Sequence, residues 1–399
     1  MALKVAIVGG GIVGLATAHE ILLRHPSVQV MVLEKEAGPG RHQTGHNSGV
    51  MHCGLYYRPG SARARMAVSG IRRMAAFCEQ HGVPYDLCGK TVIASDPEQI
   101  PRLHALIERG TANGLEGLKL LSAEEIREYE PHARGLAGIR VPQEGITDYP
   151  AVAEAMAREI RARGGEIRFS SEVLGLDKKS IWAIETKSGD YAADFLINCA
   201  GLQSDRVGRL GGVSDGTKIV PFRGEFYLLK PERQYLVKNL IYPVPDPKFP
   251  FLGVHFMRRI RGGVECGPNA SMALAREGYR QTDFSLRDTV ESLTFSGFWK
   301  FLTRHRAMCW RELKHRYSKK VFCRSLQRLV PEVQMEDLIE GGCGVRAQAL
   351  SPAGDLLDDF QFARAAGALH VLNAPSPAAT ASLAIAEEIV NMAEEALAG

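Results

Sequence analysis

Val5-Ala6-Ile7-Val8-Gly9-Gly10-Gly11-Ile12-Val13-Gly14, near the start of the chain, decides its fold. Val5, Ile7 and Val8 make the kind of short apolar run that forms a buried strand, and the run stops at a glycine turn. Ile12, Leu15, Ala16, Leu22 and Leu23 then recur at helical spacing until His25-Pro26, where proline ends the helix. Val28, Val30, Val32 and Leu33 form a second buried strand that ends at Glu34. Strand, glycine turn, helix, strand and acid in this order are the dinucleotide-binding fingerprint; GxGxxG without that context carries little weight. Gly9 permits the tight turn, Gly11 lets a pyrophosphate approach bare backbone, and Gly14 lets helix and strand pack closely. The phosphates belong at the helix N-terminus around Ile12, where unpaired N–H groups and the helix dipole favour negative charge. Glu34, twenty residues beyond Gly14, suits ribose hydroxyls and repels a 2′-phosphate.

A chain of 399 residues can bury a large core and is expected to hold two domains. Its hydrophobic and charged fractions, 45% and 24%, are those of an ordinary globular protein. The net charge of +4 gives no support to nucleic-acid binding. No apolar run approaches the roughly 20 residues that span a bilayer, and the first strand begins too early to leave room for a removable leader. The eight cysteines are scattered without a CxxC pair, which favours reduced cytoplasmic thiols over disulfides or a zinc site.

After Glu34 a nicotinamide-binding domain would continue into another crossover helix. Residues 36–60 instead place six glycines among His42, His46 and His52. Val50, Met51, Leu55, Tyr56 and Tyr57 are too apolar for a solvated loop, so this stretch is expected to be an extended path lining a ligand. Helices are expected over 61–82, 97–113, 122–130 (with a Ser122/Glu125 capping box), 148–163 and 378–398. Phe195–Cys199, running into Ala200-Gly201, has the character of a central sheet strand ending near the cofactor. Residues 218–331 change to short β-like runs, among them Ile241–Pro247 and Phe251–Met257, with helices near 286–317. Gly341–Arg346 is expected to be a turn.

His42–Val50, Pro221–Glu225, Phe251–His255, Val264–Ala270, Gly344–Gln348 and Asn373–Thr380 resemble the D-amino-acid-oxidase-like superfamily of FAD-dependent oxidoreductases. Within it they are similar to the L-2-hydroxyglutarate oxidase/dehydrogenase family, and the resemblance runs from residue 5 to residue 380. It implies an α/β fold, α+β overall: a Rossmann-like FAD-binding domain with an inserted, largely antiparallel β-sheet domain for the substrate. The FAD-binding domain is expected over 1–88, 146–217 and 335–399, and the substrate domain over 89–145 and 218–334. Besides Gly9, Gly11, Ile12, Gly14 and Glu34, the cofactor is expected to meet Lys35, His42, Thr44, Asn47, Ser48, Gly49 and Val173. Ala200, Gly201, Gly344, Ser376, Ala378, Ala379 and Thr380 complete that set; Ser376 and Thr380 also suit plain helix caps. The last helix would present its positive end to negative charge that builds up on a reduced flavin. Some relatives attach flavin through a cysteine near Cys343, though packing suits that thiol better.

The implied reaction is oxidation of L-2-hydroxyglutarate to 2-oxoglutarate, with hydride passing from C2 to flavin N5 and electrons going on to oxygen or a membrane quinone. A histidine suits the base role because its pKa lies near neutrality. His52 is the first candidate and His255 the second, each with a hydrogen-bonded core histidine as its alternative. Arg346 is the candidate for the substrate carboxylate, since a guanidinium grips a planar carboxylate with two parallel bonds. Its alternative is an ion pair with Asp355, Asp358 or Asp359. A dicarboxylate needs a second cation, for which Arg223 is the candidate unless it pairs with Glu225; Tyr57 joins the substrate contacts. Phe295, Phe298, Trp299 and Leu302, followed by a basic run to Lys320, suggest either peripheral contact with the inner face of the cell membrane or plain core packing. The rivals are an oxidase of another small 2-hydroxy or 2-amino acid, an NAD-dependent dehydrogenase, and a flavin-binding redox protein without turnover.

Overall fold

The computed structural model describes residues 2–213, 215–246 and 253–398. At its centre the strand Lys4–Val8 lies between Gln29–Leu33 and Phe195–Asn198, parallel to both, with Ile7 opposite Val32 on one side and Ile197 on the other. Neighbours on both sides and layers on both faces explain why these strands are continuously apolar rather than alternating. Glu166–Arg168 extends the sheet at one edge; Ala368–Asn373, and beyond it the antiparallel Gln361–Ala365, extend it at the other.

Helices Ile12–Arg24, Ala62–Gln80, Tyr149–Ala162 and Ala378–Leu397 bury their apolar residues in one cluster with Val5, Ile7, Val30 and Ile197. The opposite face holds Ala6, Val8, Leu33 and Leu196, and it is covered by an antiparallel meander, Val173–Lys178, Trp182–Thr186 and Gly189–Ala193, through Trp182 and Ile184. Two glycines are fixed by contact distance here. A Cβ on Gly14 would lie 2.0 Å from the Gly9 carbonyl oxygen, and one on Gly70 would lie 2.6 Å from Cα of Ala381. The second contact draws the helix Ala62–Gln80 against the start of the last helix.

A larger sheet adjoins this layer. Its order is Ser271–Met272, Lys218–Leu229, Val264–Gly267, His255–Arg258, Leu240–Pro243, Lys90–Ala94, Ala137–Val141 and Lys119–Ser122; Leu338–Leu350 also pairs along Lys218–Leu229. Every pairing is antiparallel except Leu240–Pro243 with Lys90–Ala94. A small third sheet joins Val50–Met51 and Tyr85–Asp86 to the two sides of Gly145–Thr147.

Two expectations change. Gly341–Arg346 is not a turn but part of the long strand Leu338–Leu350, whose residues pair from Leu229 back to Lys218. That strand therefore runs in the large sheet although residues 335–399 were expected in the nucleotide-binding part. Glycines suggest turns when read locally, but here a cross-strand ladder satisfies their backbone groups. The expected strand Phe251–Met257 is seen as His255–Arg258; Phe251 and Leu252 lie outside the described residues, as does Pro247. The capping box at Ser122 and Glu125 is present, and helix Ala123–Tyr129 follows it.

Gly14→Ala is expected to cost about 3 kcal/mol, because the added methyl meets backbone that cannot move aside without parting helix and strand. A shift of the urea midpoint measures it.

Candidate active site

A cavity of about 910 Å³ runs between the two large sheets. One end is lined by Gly9, Gly11, Ile12, Glu34, Lys35 and Val173. Gly9 has φ +111°, and a Cβ on Gly11 would meet nothing nearer than Thr44 Oγ1 at 3.6 Å, so bare backbone faces the space. The Glu34 carboxylate accepts from the N–H groups of Gly10 at 2.5 Å and Glu36 at 2.8 Å, and burial pushes its pKa up. Gly14 does not line the cavity; it is the packing contact described above. Lys35 is held by Glu36 and Glu277, and His42 bridges Glu36 and the Tyr279 hydroxyl. Both residues line the cavity.

Thr44 Oγ1 accepts from the Ile12 N–H at 3.0 Å, tying the glycine-rich path to the first helix. Asn47 closes a tight turn by accepting from the Gly49 N–H at 2.8 Å, with Gly49 at φ +70°. Thr44, Asn47 and Ser48 line the cavity, whereas Gly49 does not. Ala200, Gly201 and Gly344 line it too, and a Cβ on Gly344 would meet the His46 carbonyl oxygen at 2.4 Å. Ser376, Ala378, Ala379 and Thr380 line it at the start of the helix Ala378–Leu397. Neither Ser376 nor Thr380 caps that helix: its N-cap is Pro377, with no side-chain bond. Buried Thr380 instead accepts from the His52 N–H at 3.0 Å and bonds the Tyr149 hydroxyl at 2.8 Å.

His52, Tyr57, His255 and Arg346 line the same cavity. His52 follows the two-residue strand Val50–Met51, whose pairing with Gly145–Thr147 puts the residue after one strand beside the residue before the other. Its Nδ1 donates to Glu144 Oε1 at 2.8 Å, and the other oxygen of that carboxylate accepts from the Cys53 N–H at 3.0 Å. Lys90 Nζ donates to the same Oε1 at 2.7 Å; Lys90 is 0% and Glu144 1% exposed. Burial opposes the charged form of both groups. The facing charge outweighs it, holding Glu144 well below the usual carboxylate range and Lys90 above the usual amine range. The Lys90 ammonium also lies over the rings of Tyr56, at 4.4 Å, and Tyr242, at 4.9 Å.

His255 stacks on Tyr242 with centroids 3.9 Å apart, and its Nδ1 donates to the Gly253 carbonyl at 2.7 Å. Burial, reinforced by the positive charge of Lys90 and Arg346, pushes it down to about 3, so the ring is neutral. Burial also lowers the Arg346 pKa. Asp355 is taken by Arg304, and an Asp359 oxygen accepts from the Arg63 and Phe360 N–H groups. Arg63 in turn lies 4.4 Å over the Tyr57 ring.

Arg223 is the departure. It is 3% exposed, does not line the cavity, and bonds Glu225 at 2.8 Å and the Arg280 carbonyl at 2.5 Å. A cation so engaged is a structural tie. The Cys343 thiol is likewise outside the cavity lining, beside the Tyr279 carbonyl, and burial raises its pKa. Phe295, Phe298 and Phe301 form a small core with Phe222 and Leu350, so the expected amphipathic stripe is mostly interior. Trp299, Trp310 and Tyr317 are exposed, at 52%, 63% and 77%. Among the described residues no helix is long and apolar enough to cross a membrane.

Tyr56 lies on the expected ligand-lining path, whereas Lys90, Glu144 and Tyr242 are not singled out by the sequence. A lysine heading the apolar run Thr91–Ala94 was the available signal, because such a charge must find a buried partner.

Bare glycine backbone, a buried acid and an anion-attracting helix start along one wall, with histidines and an arginine beyond, fit an adenine dinucleotide whose redox end meets a polar substrate pocket. The fold and cavity are those of a flavin-dependent oxidoreductase. The chain belongs to the FAD-dependent oxidoreductase family, whose model matches residues 4–392, and FAD is its cofactor. It is 48% identical over 387 residues to an L-2-hydroxyglutarate dehydrogenase of Indibacter alkaliphilus, covering 96% of this chain and 97% of that protein. The human mitochondrial L-2-hydroxyglutarate dehydrogenase is 44% identical over 409 residues, covering 98% of this chain and 88% of its own. Among solved structures, the L-α-glycerophosphate oxidase of Mycoplasma pneumoniae with FAD bound superposes with a TM-score of 0.79 at 21% identity, covering 99% of this chain and 95% of that one. A glycine oxidase of Geobacillus kaustophilus gives 0.73 at 18%, with coverage of 99% and 95%.

The buried groups set an acid limit on stability. His255 has a folded value near 3 against 6.5 when free, so below pH 6.5 the unfolded chain takes up a proton that the native chain refuses. Glu144 acts in the same direction at lower pH, since its depressed pKa gives stability above the ordinary carboxylate value that is lost as pH falls. The melting temperature is expected to fall from pH 6.5 towards 4, with His255 contributing up to about 1.4 kcal/mol per pH unit. Calorimetry across this range should give His255→Gln a shallower slope than the parent protein.

Proposed function

We propose that the protein oxidises L-2-hydroxyglutarate to 2-oxoglutarate. The observation that carries this is the meeting of His52, His255 and Arg346 at one end of the cavity, in a chain 44–48% identical to proteins of that name. FAD supplies the acceptor for the hydrogen that leaves C2 with its electron pair. His52 takes the hydroxyl proton: its Nδ1–H is committed to Glu144, so Nε2 carries the lone pair. His255, its Nδ1–H committed to the Gly253 carbonyl, resists protonation and stays a neutral ring in the wall, so it does not compete with His52 for that proton. Arg346 holds a substrate carboxylate through its paired N–H groups. Arg63 and Tyr57, also in the wall, support the far carboxylate in place of Arg223.

The chain divides into a nucleotide-binding part, residues 1–88, 146–217 and 351–399, and a substrate part, 89–145 and 218–350. Electrons pass on to oxygen or a membrane quinone. Exposed Trp299, Trp310 and Tyr317 beside Lys300 and Lys314 support peripheral contact with an anionic bilayer. Flotation with anionic vesicles should carry the protein up the gradient, and Trp299→Ser/Trp310→Ser should reduce that fraction severalfold.

Anaerobic addition of L-2-hydroxyglutarate should bleach the flavin. Bleaching by another 2-hydroxy or 2-amino acid in its place would assign the site to that acid. His52→Ala is expected to keep the yellow colour and lose at least about 100-fold in the bleaching rate. Arg346→Lys should lower kcat/KM by about 100-fold, as expected when a bidentate grip becomes a point charge.

A further inference from the structure

Lys90 and Glu144 are the most deeply buried ion pair against the cavity, yet neither lines it. Replacing such a pair by apolar side chains is often neutral or stabilising, so packing alone gives no reason for its presence. Its third member supplies one. Glu144 Oε1 receives both Lys90 Nζ and His52 Nδ1, while Oε2 receives the Cys53 N–H. Of the three donors only His52 faces the cavity.

From this geometry we infer that Glu144, fixed by Lys90, is a positioning residue that holds His52 in its Nδ1–H form with Nε2 turned to the substrate. The inference rests on His52 as the proton acceptor. An ionised carboxylate is acceptor-only, so it admits just one neutral tautomer of the ring it bonds. When Nε2 takes the hydroxyl proton the ring becomes a cation, and Lys90 and Arg346 both oppose it. Glu144 supplies the compensating charge at 2.8 Å. Lys90 lies 2.7 Å from the same oxygen and between the rings of Tyr56 and Tyr242, so it cannot leave the carboxylate without stranding its own charge. The Thr380 hydroxyl fixes the backbone of the same histidine from the other side. The carboxylate thus sets the state of the base without touching substrate.

The test is ¹⁵N-histidine NMR on the holoprotein, with the His52 signals assigned by their loss in His52→Ala. The resting protein should show His52 protonated at Nδ1 and bare at Nε2; a ring protonated at Nε2 overturns the proposal without need of any variant. Lys90→Met/Glu144→Gln removes both charges together and leaves no orphan. Its amide oxygen is claimed by the Cys53 N–H, so its NH₂ faces His52 and forces the Nε2–H form. With bound flavin retained, the flavin-reduction rate should fall by at least about 100-fold while the half-saturating substrate concentration changes less than about threefold. A reduction rate within threefold of the parent, or an unchanged tautomer, overturns it. The tautomer is read without substrate, so failure of L-2-hydroxyglutarate to bleach the parent protein leaves this result standing.

Discussion

The carboxylate of Glu144 is the point on which the site depends, because a buried charge must be answered on every side. Its three partners come from two places: Lys90 from the large sheet, and His52 and the Cys53 backbone from the end of the glycine-rich path. The small sheet, in which Met51 lies opposite Gly145, is what brings these stretches together. Shifting that register by one residue would turn alternate side chains to the opposite face and take His52 away from the Glu144 carboxylate. The cofactor wall and the substrate wall are therefore fixed to each other by electrostatics as well as by packing.

The two ends of the cavity work by different physics. At the nucleotide end the protein offers backbone: glycines without side chains, N–H groups at a helix start, and one acid held by the Gly10 and Glu36 N–H groups. At the other end it offers side chains whose charge states are set by burial and by one another. His255 stays neutral among cations, whereas His52 has a carboxylate at its back. Two similar rings in one pocket are thus suited to different tasks.

What could be read in advance follows the same division. Gly9 to Glu34 was legible because backbone-mediated binding forces a fixed local spacing and glycines at fixed positions. His52, His255 and Arg346 could be proposed for the pocket because resemblance supplied a frame for them. Lys90 and Glu144 were not legible: their partnership spans 54 residues, depends on register in two sheets, and has no local period. Arg223 misled for a related reason. Glu225, two positions along the same strand, was visible in the sequence, but only burial decides whether such a pair closes on itself or opens to a ligand. The glycines of 341–344 misled because a pairing partner more than a hundred residues away turns an apparent bend into a strand.

The sheet that carries the nucleotide also sets a timetable for synthesis. Phe195–Asn198 pairs on one side with Lys4–Val8, but its other neighbour, Ala368–Asn373, lies about 170 residues further on. At about 5–20 residues per second, a chain emerging from the ribosome carries that hydrophobic strand as an open edge for roughly 10–30 s. Open apolar edges template pairing with other chains. The nascent protein is thus most exposed to aggregation midway through translation, and a chaperone that shields strand edges during that interval would raise the yield of enzyme without altering its final stability.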